Sequence, residues 1–340
     1  MRRLALLLII AVLVFSYQAA PSDAGSSVLI QVEPLRMCGA PARPQNDKET
    51  NCLRGNVRTV RTEIVTLSKQ GNSYVDGYTT QIRTDAYDKR GHRTEQIVQG
   101  FNYNNRIHTD SRVVWRFDSE GRASGWEDYA DDRPKPPAVS SFSYDGKGNR
   151  VKETVTLEDG TVRAVSAFGY DERGRRTEER YENTEGSGGR RVVNTYDGEG
   201  NLIGVVSYND EGALTGKSLY SYDKRGNRVG VENHRADAQG NLLLKQKISH
   251  EYDGRGFVVE RRYYKADGSL TQRVIYGYDD KANITSLVGY NGDGGFASGS
   301  TFEYEYDPQG NWLKCVHLNR KSEAGESEPH FVERRTVIYF

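Results

Sequence analysis

The sequence predicts an all-β protein, an antiparallel meander of tandem β-hairpin repeats of about 26 residues in a rolled or spiralling sheet of roughly 20 strands. Three observations carry this. Glycine supplies 36 of the 340 residues and tyrosine 22, while hydrophobic residues make up only 36% and mean hydropathy is −0.76, a balance too polar for apolar-faced helices. An aromatic–Asp pair followed three residues later by Gly recurs along most of the chain. Between these turns, apolar and polar residues alternate with the period of two of a one-sided strand.

The N-terminus reads differently. Met1-Arg2-Arg3 and the apolar run of residues 4–15 have the charge and length of a signal peptide and are too short to span a bilayer as a helix. Ser22-Asp23-Ala24 offers a cleavage site, with Ala20 as the alternative, so residues 1–24 are expected to be a signal peptide and the protein to be exported, to the periplasm, the cell surface or the medium. Residues 25–55 form an N-terminal extension holding Cys38 and Cys52, whose spacing suits a disulfide in an oxidising compartment. Cys315 is left either free and buried or paired with one of them. Arg36 and Met37 stand where a lipoprotein signal wants small residues, so Cys38 is not expected to be lipidated.

Residues 56–340 are the repeat domain. The turn motif occurs at Tyr87-Asp88…Gly91, Phe117-Asp118…Gly121, Tyr144-Asp145…Gly148, Tyr170-Asp171…Gly174 and Tyr196-Asp197…Gly200. It continues at Tyr222-Asp223…Gly226, Tyr252-Asp253…Gly256 and Tyr306-Asp307…Gly310, with a degenerate copy at Tyr278-Asp279…Ala282. The spacings run 30, 27, 26, 26, 26, 30, 26 and 28. In each, Asp hydrogen-bonds backbone further along the turn and Gly accepts positive φ. A second turn, such as Asp159-Gly160 or Asp267-Gly268, falls half a period on, making each unit a hairpin.

Before the turns the alternation puts Leu270, Val274, Tyr276 and Tyr278 on one face and Thr271, Arg273 and Gly277 on the other. Phe302, Tyr304 and Tyr306 oppose Glu303 and Glu305 in the same way. After the turns, Leu202, Val206 and Tyr208, and likewise Ile284, Val288 and Tyr290, are expected to join the aromatic, buried face. The other face is expected to be charged and wet. Glu303, Glu305, Arg273 and Lys217 on it argue against a lipid-embedded barrel, which needs an outward apolar band on every strand. A four-stranded-blade propeller is the alternative, without a longer period to support it.

The motif Tyr-Asp-x-x-Gly-Asn/Arg, as at Tyr144-Asp145…Gly148-Asn149, and the form Tyr-x-Tyr-Asp, as at Tyr220-Ser221-Tyr222-Asp223, resemble the YD repeats of RHS proteins and teneurins over about residues 80–315. The resemblance implies an exported or surface-associated spiralling strip of hairpins, which in large family members encloses a hollow shell and in some holds a toxin domain. It also implies carbohydrate binding. The chain departs from those members in having few repeats and in closing on a strand at residues 332–340 without an appended effector domain, so encapsulation is not carried over.

Chemistry is sparse. Lys plus Arg and Asp plus Glu both total 47, which leaves no basic surplus for nucleic acid. The six histidines lack metal-ligand spacing, and no Gly-x-Ser-x-Gly elbow occurs. Gly198-x-Gly200-x-x-x-Gly204 fails the nucleotide-loop spacing. Asn209-Asp210-Glu211-Gly212 lacks the alternating carboxylates and distal Glu of a calcium loop. No metal, cofactor or catalytic residue is expected, nor a membrane span after signal cleavage. Two irregular segments, residues 129–139 and 319–330, read as variable hairpin tips. The expected function is a non-enzymatic exported scaffold of the cell envelope or surface that binds carbohydrate or an envelope protein, with Trp115, Trp126 and Trp312 as rings to stack on sugars or, failing that, to fill the core. The alternatives are a shell or adhesin component of an RHS-type toxin or secretion system and a polysaccharide-processing enzyme.

Overall fold

The computed structural model describes residues 47–340 apart from 72, 105, 131–137 and 185–187. The segment expected to be a signal peptide and Cys38 lie outside the described residues. A four-residue helix, α1 (Asp47–Thr50), precedes twenty strands. These are β1 (Val57–Gln70), β2 (Ser73–Tyr87), β3 (Arg93–Phe101), β4 (Ile107–Phe117), β5 (Ala123–Ala130), β6 (Ala138–Tyr144) and β7 (Arg150–Leu157). Then come β8 (Val162–Tyr170), β9 (Arg176–Asn183), β10 (Arg190–Tyr196), β11 (Leu202–Asn209), β12 (Leu214–Tyr222), β13 (Arg228–Ala236) and β14 (Leu242–Tyr252). The last are β15 (Val258–Tyr264), β16 (Leu270–Tyr278), β17 (Ile284–Asn291), β18 (Phe296–Tyr306), β19 (Trp312–Arg320) and β20 (Ser327–Tyr339).

Each strand pairs antiparallel with its sequence neighbours, and β20 returns to pair with β1 from Val57↔Tyr339 to Thr66↔Phe331. The sheet therefore rolls up as the repeat predicts and goes further: it closes into one barrel, with no division into blades. Closure removes both sheet edges. β20 starts at Ser327, inside the segment expected to be loop, with Glu328 and His330 exposed and Pro329 and Phe331 partly buried. Its polarity is that of a strand with one wet face.

All nine aromatic–Asp turns lie on one rim, between β2 and β3 and at every second junction after that. In each, the Asp and Gly backbones close a tight turn, as in Gly148 N→Asp145 O at 3.0 Å and Asp145 N→Asn149 O at 2.9 Å. The Asp145 Oδ1 accepts the backbone N–H groups of Lys147 and Asn149, and Oδ2 accepts Asn149 Nδ2. Gly148 sits at φ +82°, and in the degenerate copy Ala282 takes the same turn at φ +67°.

From Tyr144 onward, the tyrosine of each turn fastens it to the turn before. Tyr170 OH donates to Arg150 O (2.7 Å), Tyr196 to Arg176 O (2.8 Å), Tyr222 to Leu202 O (2.8 Å), Tyr252 to Arg228 O (2.7 Å) and Tyr278 to Val258 O (2.9 Å). The acceptor is always the residue six beyond the previous aromatic, and Tyr144 follows the same rule onto Ala123 O. In the next unit Tyr304 takes over the carbonyl of Ile284, while Tyr306 donates to the preceding turn's Asp279.

Hydrogen bonds to the charged form hold the carboxylates of Asp145, Asp197 and Asp223 below their usual range, chiefly those from Asn149, Asn201 and Asn227. A depressed carboxylate stabilises the fold above its unfolded pKa and ceases to do so as pH falls through the folded value. Melting temperature is therefore expected to fall progressively below about pH 4, and the triple variant Asp145→Asn, Asp197→Asn, Asp223→Asn to show a shallower slope there. An identical slope in thermal melts from pH 7 to pH 2 would refute this.

The tenth position on this rim is the seam, where no turn joins β20 to β1. Residues 47–56 lie across it. Lys48 N donates to Gly91 O (2.9 Å), Arg93 N to Asp47 Oδ2 (2.8 Å) and Asn51 Nδ2 to Tyr87 OH (3.0 Å). At the far end Asn311, 2% exposed, exchanges two bonds with the Arg54 backbone (2.7 and 2.9 Å) and donates to Tyr339 OH (2.7 Å), which donates onward to Asp307. Leu53 of the strap forms a buried cluster with Val57, Val60 and Tyr87. Cys52 within it is disulfide-bonded, and Cys315 is free and buried.

Candidate functional site

Which residues line the bore follows from one irregularity repeated at every turn of this rim. The ladder shifts register there: Tyr278 pairs with Ile284, but Gly277 pairs with Ser286. One residue is bulged out, so the strand after the turn reverses its phase. Ile284 points inward, fully buried with Tyr276 and Phe302, whereas Val288 and Tyr290 point outward. The expectation that Leu202, Val206 and Tyr208, and Ile284, Val288 and Tyr290, would each share the inner face is corrected accordingly. Tyr208 and Tyr290 lie outside, beneath the guanidinium groups of Arg191 (5.4 Å) and Arg273 (4.7 Å).

The inner face thus alternates staves of two kinds. Strands before a turn contribute aromatic residues, and strands after it contribute many polar ones. The residue two before the turn aromatic stands opposite the residue nine after it, giving the inner pairs Asp85↔Gln96, Trp115↔Trp126, Phe142↔Glu153, Phe168↔Glu179, His250↔Arg261 and Tyr304↔Cys315. The next layer, two residues further from this rim, includes Ser218↔Asn233, Phe302↔His317 and Thr62↔Arg335.

This wall encloses space. Barrels of sixteen or more strands leave a channel that their own side chains do not fill, and among the described residues every substantial strand contact runs between neighbours around the wall. The buried hydrophobic residues form two local clusters rather than one central core. The outer face carries cross-strand ion pairs, among them Arg112–Glu95 (2.6 Å), Arg191–Glu178 (2.9 Å), Arg262–Glu251 (2.6 Å) and Lys314–Glu305 (2.7 Å). Exposed pairs of this kind add little stability, but they keep that face hydrated.

All three tryptophans lie on the inner face. Trp115 and Trp126 stand directly opposite one another on β4 and β5. The Arg93 guanidinium covers Trp115 at 4.5 Å. Trp126 Nε1 (3.2 Å) and Ser140 Oγ (2.8 Å) both donate to Glu153 Oε1, which fixes the indole against the wall. Next to them Arg150 lies between the rings of Phe142 (4.5 Å) and Phe168 (5.1 Å). Burial raises the Asp128 carboxyl above its usual pKa on the same wall. Trp312 lies far around the ring, on β19, under Arg335 at 3.4 Å, so the structure brings two of the three predicted tryptophans together and separates the third.

A second polar group lies nearer the seam. Asp85, 5% exposed, accepts from Arg83 (2.6 and 3.0 Å), Arg93 (3.4 Å) and Gln96 (2.8 Å). His317 Nε2 meets Glu333 at 3.0 Å, with its ring stacked on Phe331. Burial, and then the Arg261 charge, push the His250 imidazole down to about 4, so it is neutral at physiological pH. The Cys315 thiol is pushed up to about 12 by burial, which leaves it a poor nucleophile. Among the described residues no group of three or more His, Cys, Asp or Glu side chains is placed to hold a metal.

No family model matches the chain. No curated protein matches it either. Solved structures do. A porin-like protein from Bacteroides uniformis is 12% identical with a TM-score of 0.33, covering 83% of this chain and 96% of its own. A second, from Bacteroides vulgatus, is 11% identical at 0.30, covering 84% and 99%. The TcdB2–TccC3 complex is 13% identical at 0.27 over 77% of this chain, and this chain spans 19% of that one.

The polar inner residues Gln96, Glu153, Arg261 and His317 were not picked out in the sequence as lining residues, although the signal was present. Counting nine or eleven residues on from each turn aromatic finds them once the bulge is allowed for.

Proposed function

We propose that the protein is an exported, non-enzymatic YD-type β-repeat scaffold of the cell envelope whose barrel wall binds a saccharide from the inside. One observation carries the reading: Trp115 and Trp126 stand side by side on adjacent strands of the inner wall, with Glu153, Ser140 and Asp128 as polar neighbours. Indole rings offer flat apolar faces to pyranose rings, and the flanking carboxylates and hydroxyl accept and donate hydrogen bonds. The non-enzymatic part of the reading is supported by the carboxylates themselves. Asp85 and Glu333 are tied to cations or imidazole, and Asp145, Asp197 and Asp223 on the turns are held ionised by their hydrogen bonds. The ion-paired outer face supports a water-facing location over a lipid-facing one.

Trp115→Ala and Trp126→Ala are each expected to weaken binding of glycans captured on an array by about tenfold or more, from the loss of a stacking face. Trp312→Ala, which removes no stacking face beside Trp115 and Trp126, is expected to leave binding of neutral glycans within about twofold. Equal losses in all three variants, or none, would overturn the assignment.

A further inference from the structure

Arg335 has no partner that matches its charge. It projects from β20 into the bore, part of its surface open, with the guanidinium 3.4 Å above the Trp312 ring. Among the described residues no carboxylate lies within ion-pair distance of it, and its Nε is buried without a hydrogen bond. Glu333, two residues away on the same face, is engaged by His317 instead. The cross-strand neighbour of Arg335 is Thr62 on β1, and the next residue in that row is Arg83 on β2. At about 4.8 Å between strands, the two arginine backbones stand roughly 10 Å apart with a threonine between them.

Arg83 in turn shares Asp85 with Arg93. The patch therefore holds the three guanidiniums of Arg83, Arg93 and Arg335 against the two carboxylates of Asp85 and Glu333, both already occupied. A guanidinium taken out of bulk water without an anion is costly, and the neighbouring positive charge of Arg83 adds to that cost. Burial, partly offset by the charge of Glu333, pulls Arg335 down to about 10.

We propose that Arg335, Thr62 and Arg83 form an anion subsite on the inner wall that takes the carboxylate of an acidic saccharide. This rests on the reading of the bore as a saccharide site and narrows it to uronate-type ligands. Arg335 supplies a planar fork matched to a carboxylate, Thr62 a hydroxyl donor, and Arg83 a second positive charge held in place by Asp85.

The experiment uses the mature protein at low ionic strength with three probes: trigalacturonate, neutral maltotriose and penta-glutamate. Calorimetric titration is expected to show trigalacturonate bound about tenfold tighter than maltotriose. The preference is expected to disappear in Arg335→Met and to survive in part in Arg335→Lys. Without ligand, Arg335→Met is expected to melt no lower than the parent, since an unpaired cation is removed. Equal affinity for the two saccharides overturns this inference and leaves the saccharide reading standing. Binding of neither overturns both, and a preference for penta-glutamate overturns the saccharide assignment. A markedly lower melting temperature for Arg335→Met shows the arginine to be a structural partner and also overturns the proposal.

Discussion

Replacing Asn311 by alanine is expected to open the barrel at its seam, at a cost of about 3 kcal/mol. Asn311 is 2% exposed and its side chain makes three bonds, with the Arg54 N–H, the Arg54 carbonyl and the Tyr339 hydroxyl. Each such bond is worth roughly 1 kcal/mol, and the buried partners left behind lose their solvation as well. At every other position on this rim a covalent turn joins the strands, so a lost side-chain bond is absorbed locally. At the seam the strap of residues 47–56 replaces the turn, and Asn311 anchors its C-terminal end. A fall in melting temperature of roughly 6–12 °C is expected. Amide exchange should accelerate selectively in β1 and β20 and stay unchanged in β8 to β12. Uniform acceleration, or a loss below about 1 kcal/mol, would show that the strap does not hold the seam.

Asp85→Ala is expected to be the most damaging single change on the inner wall, at about 3–5 kcal/mol. The carboxylate accepts from two guanidiniums and the Gln96 amide, and it is 5% exposed. Its loss leaves Arg83 and Arg93 facing Arg335 with nothing between them to balance charge. Removing both sides of the pair separates geometry from charge. Arg83→Met with Asp85→Leu is expected to recover more than half of the urea midpoint lost in Asp85→Ala, because the double variant removes the guanidinium that depended most on that carboxylate, the one bound to it at 2.6 and 3.0 Å. If the double variant is no better than the single one, packing rather than charge balance explains the loss.

The repeat was legible in the sequence because each turn spends specific residues on it. An Asp whose two oxygens satisfy the turn, a Gly at positive φ and a Tyr that reaches the previous turn leave a pattern that neither composition nor chance reproduces. Closure was less legible. Val57, Val60, Val337 and Tyr339 alternate like any other strand residues, and nothing in them marks two strands 270 residues apart in the chain as partners. The inner wall was half legible. Residues immediately before each turn keep the phase that alternation predicts, as Tyr276 and Phe302 show, whereas Leu270, expected inward with Tyr276, pairs with outward Tyr264 across a register shift near the opposite rim. Residues after it do not, since a single bulged position, such as Thr285 between Ile284 and Ser286, moves every following side chain to the other face. The bulge costs no unusual residue and so leaves no mark in composition. Simple alternation therefore points Val206 and Tyr208 inward and leaves Gln96, Glu153 and His317 unmarked.

The seam also sets a timetable. Every pairing but one joins strands adjacent in sequence and can form as soon as the second strand emerges, so most of the wall is built from local contacts. The last pairing spans nearly the whole chain and waits for β20. Until then β1 and the growing front of the sheet present two open edges, each a template for another chain. A protein assembled this way is vulnerable during synthesis rather than afterwards, and its yield is expected to depend on how quickly the final hairpin arrives.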